Sequence, residues 1–278
     1  MEKDLSNQVN ATYKTLRLGL AVLAFAFPIL LYGGARLFWK LPLAGSLSAY
    51  YHYHCVELYG GENPNQSDAP ICTRDNDEPG KGVLRDPFVG IIFAVGALLF
   101  AYQGFSRLED YALNLAGISA WGVALFPLNW PPPYPKPHGI SFSLHGILAV
   151  SFFACIAYVC IFRAGDTLPL IHDPTIRKRY RRIYQLLGCA MVIFPILAFV
   201  LSSLTPESNS MIFFAELAGI YVFSTYWVVK SHEASKTNVD EKASRGKLRV
   251  RPHGFSDALR QLPVTPVDNP TEQQEYAH

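Results

Sequence analysis

Stretches of about 20 residues almost free of charge recur six times along this chain, at roughly 17–39, 87–105, 111–130, 140–162, 183–204 and 211–229. A helix rising 1.5 Å per residue needs about 20 apolar residues to cross the hydrocarbon core of a bilayer. Soluble domains scatter their apolar residues instead. The pattern predicts an all-α fold, a polytopic membrane helix bundle with six transmembrane helices, and excludes an ordinary soluble enzyme. Mean hydropathy is only +0.15, and 17% of the 278 residues are charged, because a polar loop and polar tails dilute the six blocks. Three regions follow: an N-terminal segment 1–16, a transmembrane domain 17–230 with a long loop at 40–86, and a tail 231–278. The tail is rich in Lys, Glu, Ser and Pro, a composition that predicts disorder. The first sixteen residues lack the basic, apolar and small-residue pattern of a cleaved signal, so the first block is expected to stay as a helix.

Basic residues set the expected orientation. Lys and Arg divide about 18 to 6 between the two sides that six spans define, and the richer side is cytoplasmic by the positive-inside rule. Both termini are then expected in the cytoplasm, in a bacterial inner membrane. The run Arg177, Lys178, Arg179, Arg181 and Arg182 weighs most, read as a short basic loop that contacts lipid headgroups. Membrane lipids are the expected partners; nothing in the pattern points to nucleic acid.

Cys55 and Cys72 share the long outer segment, where an oxidising compartment would allow a disulfide. Cys155, Cys160 and Cys189 lie in apolar spans and read as small buried residues. Asn65-Gln66-Ser67 is a glycosylation acceptor only in a eukaryotic host. In the third span Ala112, Ala116, Ala120 and Ala124 recur every fourth residue beside Gly117 and Gly122, a stripe that lets helix backbones approach closely and predicts a central helix. Pro195 predicts a kink in the fifth span. The run Trp130 to Pro137 is too rich in proline for a helix and predicts a stiff connector. The segment Leu41 to Leu58 is apolar and aromatic but too short to span, and predicts a short interfacial or re-entrant helix with Tyr50, Tyr51 and Tyr53 at headgroup level.

Six spans gather a set of polar residues at one depth on the outer side. Ser48 and His52, four apart, would share a helix face. Asp86 precedes Pro87 at the start of the second span, where it reads either as an N-cap or as a functional carboxylate. His138 stands at the mouth of the fourth span and His145 lies inside it. Their separation of about 10 Å along the axis keeps both from one zinc ion, so His145 is preferred and His138 held in reserve. Glu216 is the one carboxylate well inside a span. An ionisable group in hydrocarbon is costly and faces a partner or a wet cavity.

Several strings resemble a family of uncharacterised bacterial polytopic membrane proteins: SLSAYYH (Ser46 to His52), the run Arg85 to Asp110, Asn114 to Pro127, and His145 to Phe162. The similarity spans most of 15–230 and implies membrane architecture. A second, partial resemblance rests on Ser48-x-x-x-His52, Asp86 at the next span and a later histidine on the same side. That pattern is similar to the alkaline ceramidase, progestin and adiponectin receptor superfamily, whose members hold zinc with histidines inside seven helices and include lipid amidases. This chain departs from it with six spans and no His-x-x-x-His in the last helix.

The resemblance implies a zinc-dependent lipid amide or ester hydrolase. His52 and His145 would be ligands, with His138, His54 or Glu216 as the third. Asp86 would orient or deprotonate the bound water, and Ser48 would hydrogen-bond it or the oxyanion. Two other classes fit the same residues: a non-enzymatic scaffold or sensor with a structural polar cluster, and a small-solute or proton-coupled transporter with Glu216 and His145 as a relay. No P-loop, dinucleotide fingerprint or His-Glu-x-x-His occurs.

Overall fold

The computed structural model describes residues 2–41, 43–56, 71–74, 84–128, 143–204, 210–249 and 257–267. The Trp130 to Pro137 connector, Asn65 and His138 lie outside the described residues. The chain is mostly helical, in the order α1 (Glu2–Pro28), a π-helical stretch (Ile29–Gly33), α2 (Gly34–Trp39), a 3₁₀ turn (Ser48–His52), strands β1 (Tyr53–Val56) and β2 (Ile71–Arg74), then α3 (Arg85–Ala101) and α4 (Arg107–Leu125). There follow α5 (Leu144–Tyr158) running into a π-helical stretch (Val159–Arg163), a 3₁₀ turn (Leu168–Leu170), α6 (Pro174–Leu204), α7 (Met211–Thr237), α8 (Val239–Ser244), and the two-residue strands β3 (Leu248–Arg249) and β4 (Thr265–Pro266).

Among the described residues, four helical segments are long and apolar enough to cross a membrane: Ser6–Phe38, Leu144–Leu170, Pro174–Ala198 and Met211–Thr237. The outward faces carry exposed Leu18, Val22, Phe25, Ile118, Ile147, Ile193, Ile196 and Phe214. A soluble bundle would turn such residues inward, so this apolar exterior fits an integral membrane protein. Pro28 lies inside the first of these segments, immediately before the π-helical stretch. Proline removes one N–H and clashes with the preceding turn, and a wider π turn is one way a helix continues past that defect.

The alanine and glycine stripe brings helix backbones close together, although α4 lies against α3 and α5 with Leu115 and Ile118 exposed and is not the centre of the bundle. Ala116, Ala120 and Ala124 are buried, and α4 packs between α3 and α5. A Cβ built on Gly117 would sit 2.7 Å from the Gly96 carbonyl oxygen of α3, so the two backbones touch where neither residue has a side chain. On the other flank, a Cβ on Gly122 would meet Leu148 of α5 at 2.7 Å. Pro195 lies within α6.

Several expectations change once the chain is folded. The basic run is not a loop: Arg177 to Arg182 form the first turns of α6. Cys160 is buried, but Cys155 is only partly so and Cys189 is exposed on the apolar surface. The polar first sixteen residues are helical from Glu2, and Ser6 Oγ lies 2.8 Å from Ser244 Oγ of α8. Beyond Lys230 the described chain is folded: α7 runs on to Thr237, and Leu262 and Val264 are buried.

Buried charge explains that folding. Arg17 and Asp240 form a two-pronged ion pair with side chains 1% and 4% exposed, joining α1 to α8. Asp166 accepts a hydrogen bond at Oδ1 from the Leu262 N–H at 2.8 Å, and its carbonyl accepts one from the Val264 N–H at 2.9 Å. Tyr158 donates to the Ala258 carbonyl at 2.8 Å, and Arg163 donates to that of Arg260. Lys230 and Glu233 pair at 2.8 Å, with Thr167 Oγ1 held 2.8 Å from the ammonium. Segment 257–267 therefore supplies hydrogen-bond partners to Tyr158, Arg163 and Asp166, polar groups that packing would otherwise leave with fewer.

At the opposite end, Leu41 and residues 43–52 tuck between α1, α3 and α7. Leu41, Ala44, Leu47 and Tyr50 are buried with Phe27, Leu31, Phe88 and Phe213. The expected short helix is thus a single 3₁₀ turn, and Tyr50 is not at a surface: it is fully buried, its hydroxyl oxygen accepting from the Ala44 N–H at 3.2 Å. The Phe213 N–H in the first turn of α7, one of the donors a helix start leaves open, bonds the Gly45 carbonyl at 3.0 Å.

Candidate functional site

The tucked segment brings its polar residues against the starts of α5 and α7 and the end of α4. Ser46 Oγ accepts from the Ala49 N–H at 3.1 Å and caps the 3₁₀ turn. Glu216, in the second turn of α7, accepts from the backbone N–H of Leu47 at 2.6 Å and from that of Ser48. One carboxylate thus binds the two peptide groups at the head of the turn, a charge-assisted anchor that fixes where Ser48 stands.

Ser48 Oγ lies 3.0 Å from His145 Nε2, across 97 residues of sequence. His145 is the second residue of α5, whose N-cap Ser143 accepts from the Gly146 N–H at 3.0 Å. The other ring nitrogen, Nδ1, is 3.0 Å from the carbonyl oxygen of Phe126, just past the end of α4. A carbonyl only accepts, so Nδ1 carries the proton, Nε2 of the neutral ring presents its lone pair, and the Ser48 hydroxyl donates to it. His145 is 7% exposed and Ser48 is half-buried, so the base is sheltered and the hydroxyl remains reachable.

The His52 imidazole bonds a different group. In a 3₁₀ turn residues three apart align, not four, and the His52 ring turns to α4, where Nε2 donates to the Leu128 carbonyl at 2.7 Å. Both imidazoles therefore bond carbonyls beyond Leu125, groups that a helix end in an apolar setting must place somewhere.

Asp86 stands apart. The N-cap of α3 is Leu84, and Asp86 is exposed in the first turn with no hydrogen bond to Ser48, His52 or His145 among the described residues. Its negative charge suits the helix N-terminus without a capping bond. His138 lies outside the described residues, and of His54 the structure describes only its place in β1.

Zinc needs three protein ligands when it is catalytic. The described residues bring two histidines to this end, with His145 bonded at both nitrogens and His52 Nε2 bonded to Leu128; no group of three ligating side chains gathers among them. The side chains of His54 and His138, the other candidate histidine ligands, lie outside what the structure describes. What the described residues bring together is a hydroxyl and an imidazole base.

Two features of the site escape sequence reasoning. The carbonyls of Phe126 and Leu128 carry no side-chain signal, since any residue supplies one. The i to i+4 spacing of Ser48 and His52 suggested a shared partner only on the premise of an α-helix, and the tight turn assigns them different ones. Compared with known proteins, the chain matches no family model, no curated protein and no solved structure.

Proposed function

We propose that this chain is a six-span protein of the bacterial inner membrane, both termini cytoplasmic, that hydrolyses an ester or amide bond of a membrane lipid at the outer leaflet. Ser48 is the nucleophile and His145 the general base. The observation that carries the reading is the 3.0 Å approach of Ser48 Oγ to His145 Nε2 with the ring tautomer set by Phe126. The apolar exterior and the distribution of basic residues support the membrane setting; in this reading α3 and α4 are the two spans beyond the four long ones.

Attack of Ser48 Oγ on the lipid carbonyl forms the new C–O bond as its proton passes to Nε2. The imidazolium then gives that proton to the leaving amine or alcohol, and water discharges the acyl-enzyme by the same route. The Phe126 carbonyl stands where such sites commonly hold a carboxylate, orienting the ring without neutralising it. Glu216 is a positioning residue: its carboxylate is occupied by the peptide N–H groups of Leu47 and Ser48, so those donors are not free to hold an oxyanion.

Detergent-purified protein treated with a fluorophosphonate probe should label at Ser48. The label should vanish in Ser48→Ala and slow by about 10²–10⁴-fold in His145→Ala, the usual contribution of a positioned base. A folded wild type that takes no label and releases no fatty acid from lipid amides or esters would overturn the proposal. The zinc reading keeps one support, that His52 and His145 both bond carbonyls just past the end of α4. About one zinc per chain, lost in His52→Ala and in His145→Ala, would replace the serine mechanism with it.

A further inference from the structure

Two of the five cysteines in 278 residues occupy facing positions in a ladder only four residues long. Strands β1 and β2 pair antiparallel with Tyr53 opposite Arg74, His54 opposite Thr73, Cys55 opposite Cys72 and Val56 opposite Ile71. Directly opposed residues of an antiparallel pair hold their Cα atoms about 4.5–5.5 Å apart, within the range of about 4.4–6.8 Å that a disulfide bridges. A slip of one residue in register would lose that match. The other cysteines sit in helical segments, Cys155 in α5, Cys160 in the π stretch after it and Cys189 in α6.

From this register we infer that Cys55 and Cys72 form an intramolecular disulfide at the end of the bundle that carries Ser48 and His145, closing the base of the loop between β1 and β2. The inference rests on the orientation proposed above, with this end facing an oxidising compartment, and not on the hydrolytic reading. Its chemistry needs an oxidant, a thiol-oxidising protein disulfide. One cysteine thiolate attacks that disulfide to give a mixed disulfide, and the second displaces the oxidant's thiolate. The pair loses two protons and two electrons, and the oxidant leaves as a dithiol. β1 begins at the residue after His52, so the closed hairpin tethers the exit of the turn that presents Ser48, while Glu216 holds its entrance.

The test is a thiol count on the full chain, purified from cells with intact disulfide-forming machinery and alkylated with a polymer-tagged maleimide after denaturation. Three thiols should label before reduction and all five after, with the unreduced protein migrating as a monomer. Cys55→Ser should show four thiols with or without reductant. Ser48→Ala should keep the wild-type count, which separates this result from the fate of the catalytic reading. Five thiols without reduction, a reductant-sensitive dimer, or thiols freed by a chelator alone would each overturn the inference. In the first case diamide treatment locates the error: closure as a monomer would mean this end faces a reducing compartment, and no closure would mean the strand register is wrong.

Discussion

Replacing Asp240 by Asn leaves the Arg17 guanidinium buried without its counter-charge. The two side chains are 1% and 4% exposed and bond through both terminal guanidinium nitrogens, Nη1 and Nη2, and the Tyr102 hydroxyl at 3.4 Å is the other polar partner of Arg17. Breaking one member of a buried pair costs about 3–5 kcal/mol, because the surviving charge keeps its desolvation penalty and loses its compensation. At the low end, a chain of this size should lose about 6 °C or more in Tm, from about 2–4 °C per kcal/mol. The double variant Arg17→Met with Asp240→Leu should recover most of the loss, since two apolar side chains of similar bulk carry no such penalty. Equilibrium unfolding of the three proteins in mixed micelles would measure this. Limited proteolysis gives a second reading, because α8 is joined to α1 by this pair and cleavage within 239–267 should accelerate in Asp240→Asn and return toward wild type in the double variant. An Asp240→Asn protein within about 0.5 kcal/mol of wild type, the range of ordinary surface changes, would refute the buried-pair argument.

Other perturbations reach the remaining parts of the fold. Gly117→Ala should destabilise by about 1–3 kcal/mol because its methyl group would press on the Gly96 carbonyl oxygen at 2.7 Å. Gly90→Ala, with nothing within 4 Å of its Cβ, should instead be neutral or stabilising by up to about 1 kcal/mol; equal effects on thermal unfolding would deny the close contact of α3 with α4. Glu216→Ala strips the anchor from the Leu47 and Ser48 N–H groups, and each unpaired buried donor costs about 1–3 kcal/mol. Probe labelling at Ser48 should fall with it, while Glu216→Gln, which keeps one acceptor oxygen, should retain part of both. A Glu216→Ala protein of wild-type stability and labelling rate would show that the carboxylate holds nothing.

Much of the site was open to sequence reasoning, yet for reasons that did not all survive. Glu216 and His145 stood out because ionisable groups inside apolar runs need partners, and both have them. The spacing of Ser48 points to His52, whereas its partner is His145. Asp86 drew notice from a Pro that follows it, a local signal that says nothing of distance to a histidine. The buried charges at the other end went unread for the same reason. Lys230, Glu233 and Asp240 look like the start of a solvated tail when hydropathy is averaged, although Lys230, Glu233 and Thr237 fall on one helix face at the spacing of three and four that packing requires.

What the amino-acid sequence determined alone was its partition between lipid and water. Runs of apolar residues must form helices that satisfy their own peptide groups in hydrocarbon, and a stripe of Ala and Gly must lie where two backbones meet. Those rules act within one element, so no partner need be known. Only the tertiary structure decided which polar groups meet: Ser48 with His145, Glu216 with the head of the 3₁₀ turn, Arg17 with Asp240, Asp166 with the returning chain at 262–264. Each of these joins residues 96 to 223 positions apart. The driving force in each is the cost of leaving a buried donor, acceptor or charge unpaired, and that cost is a property of the packed bundle, not of any segment of it.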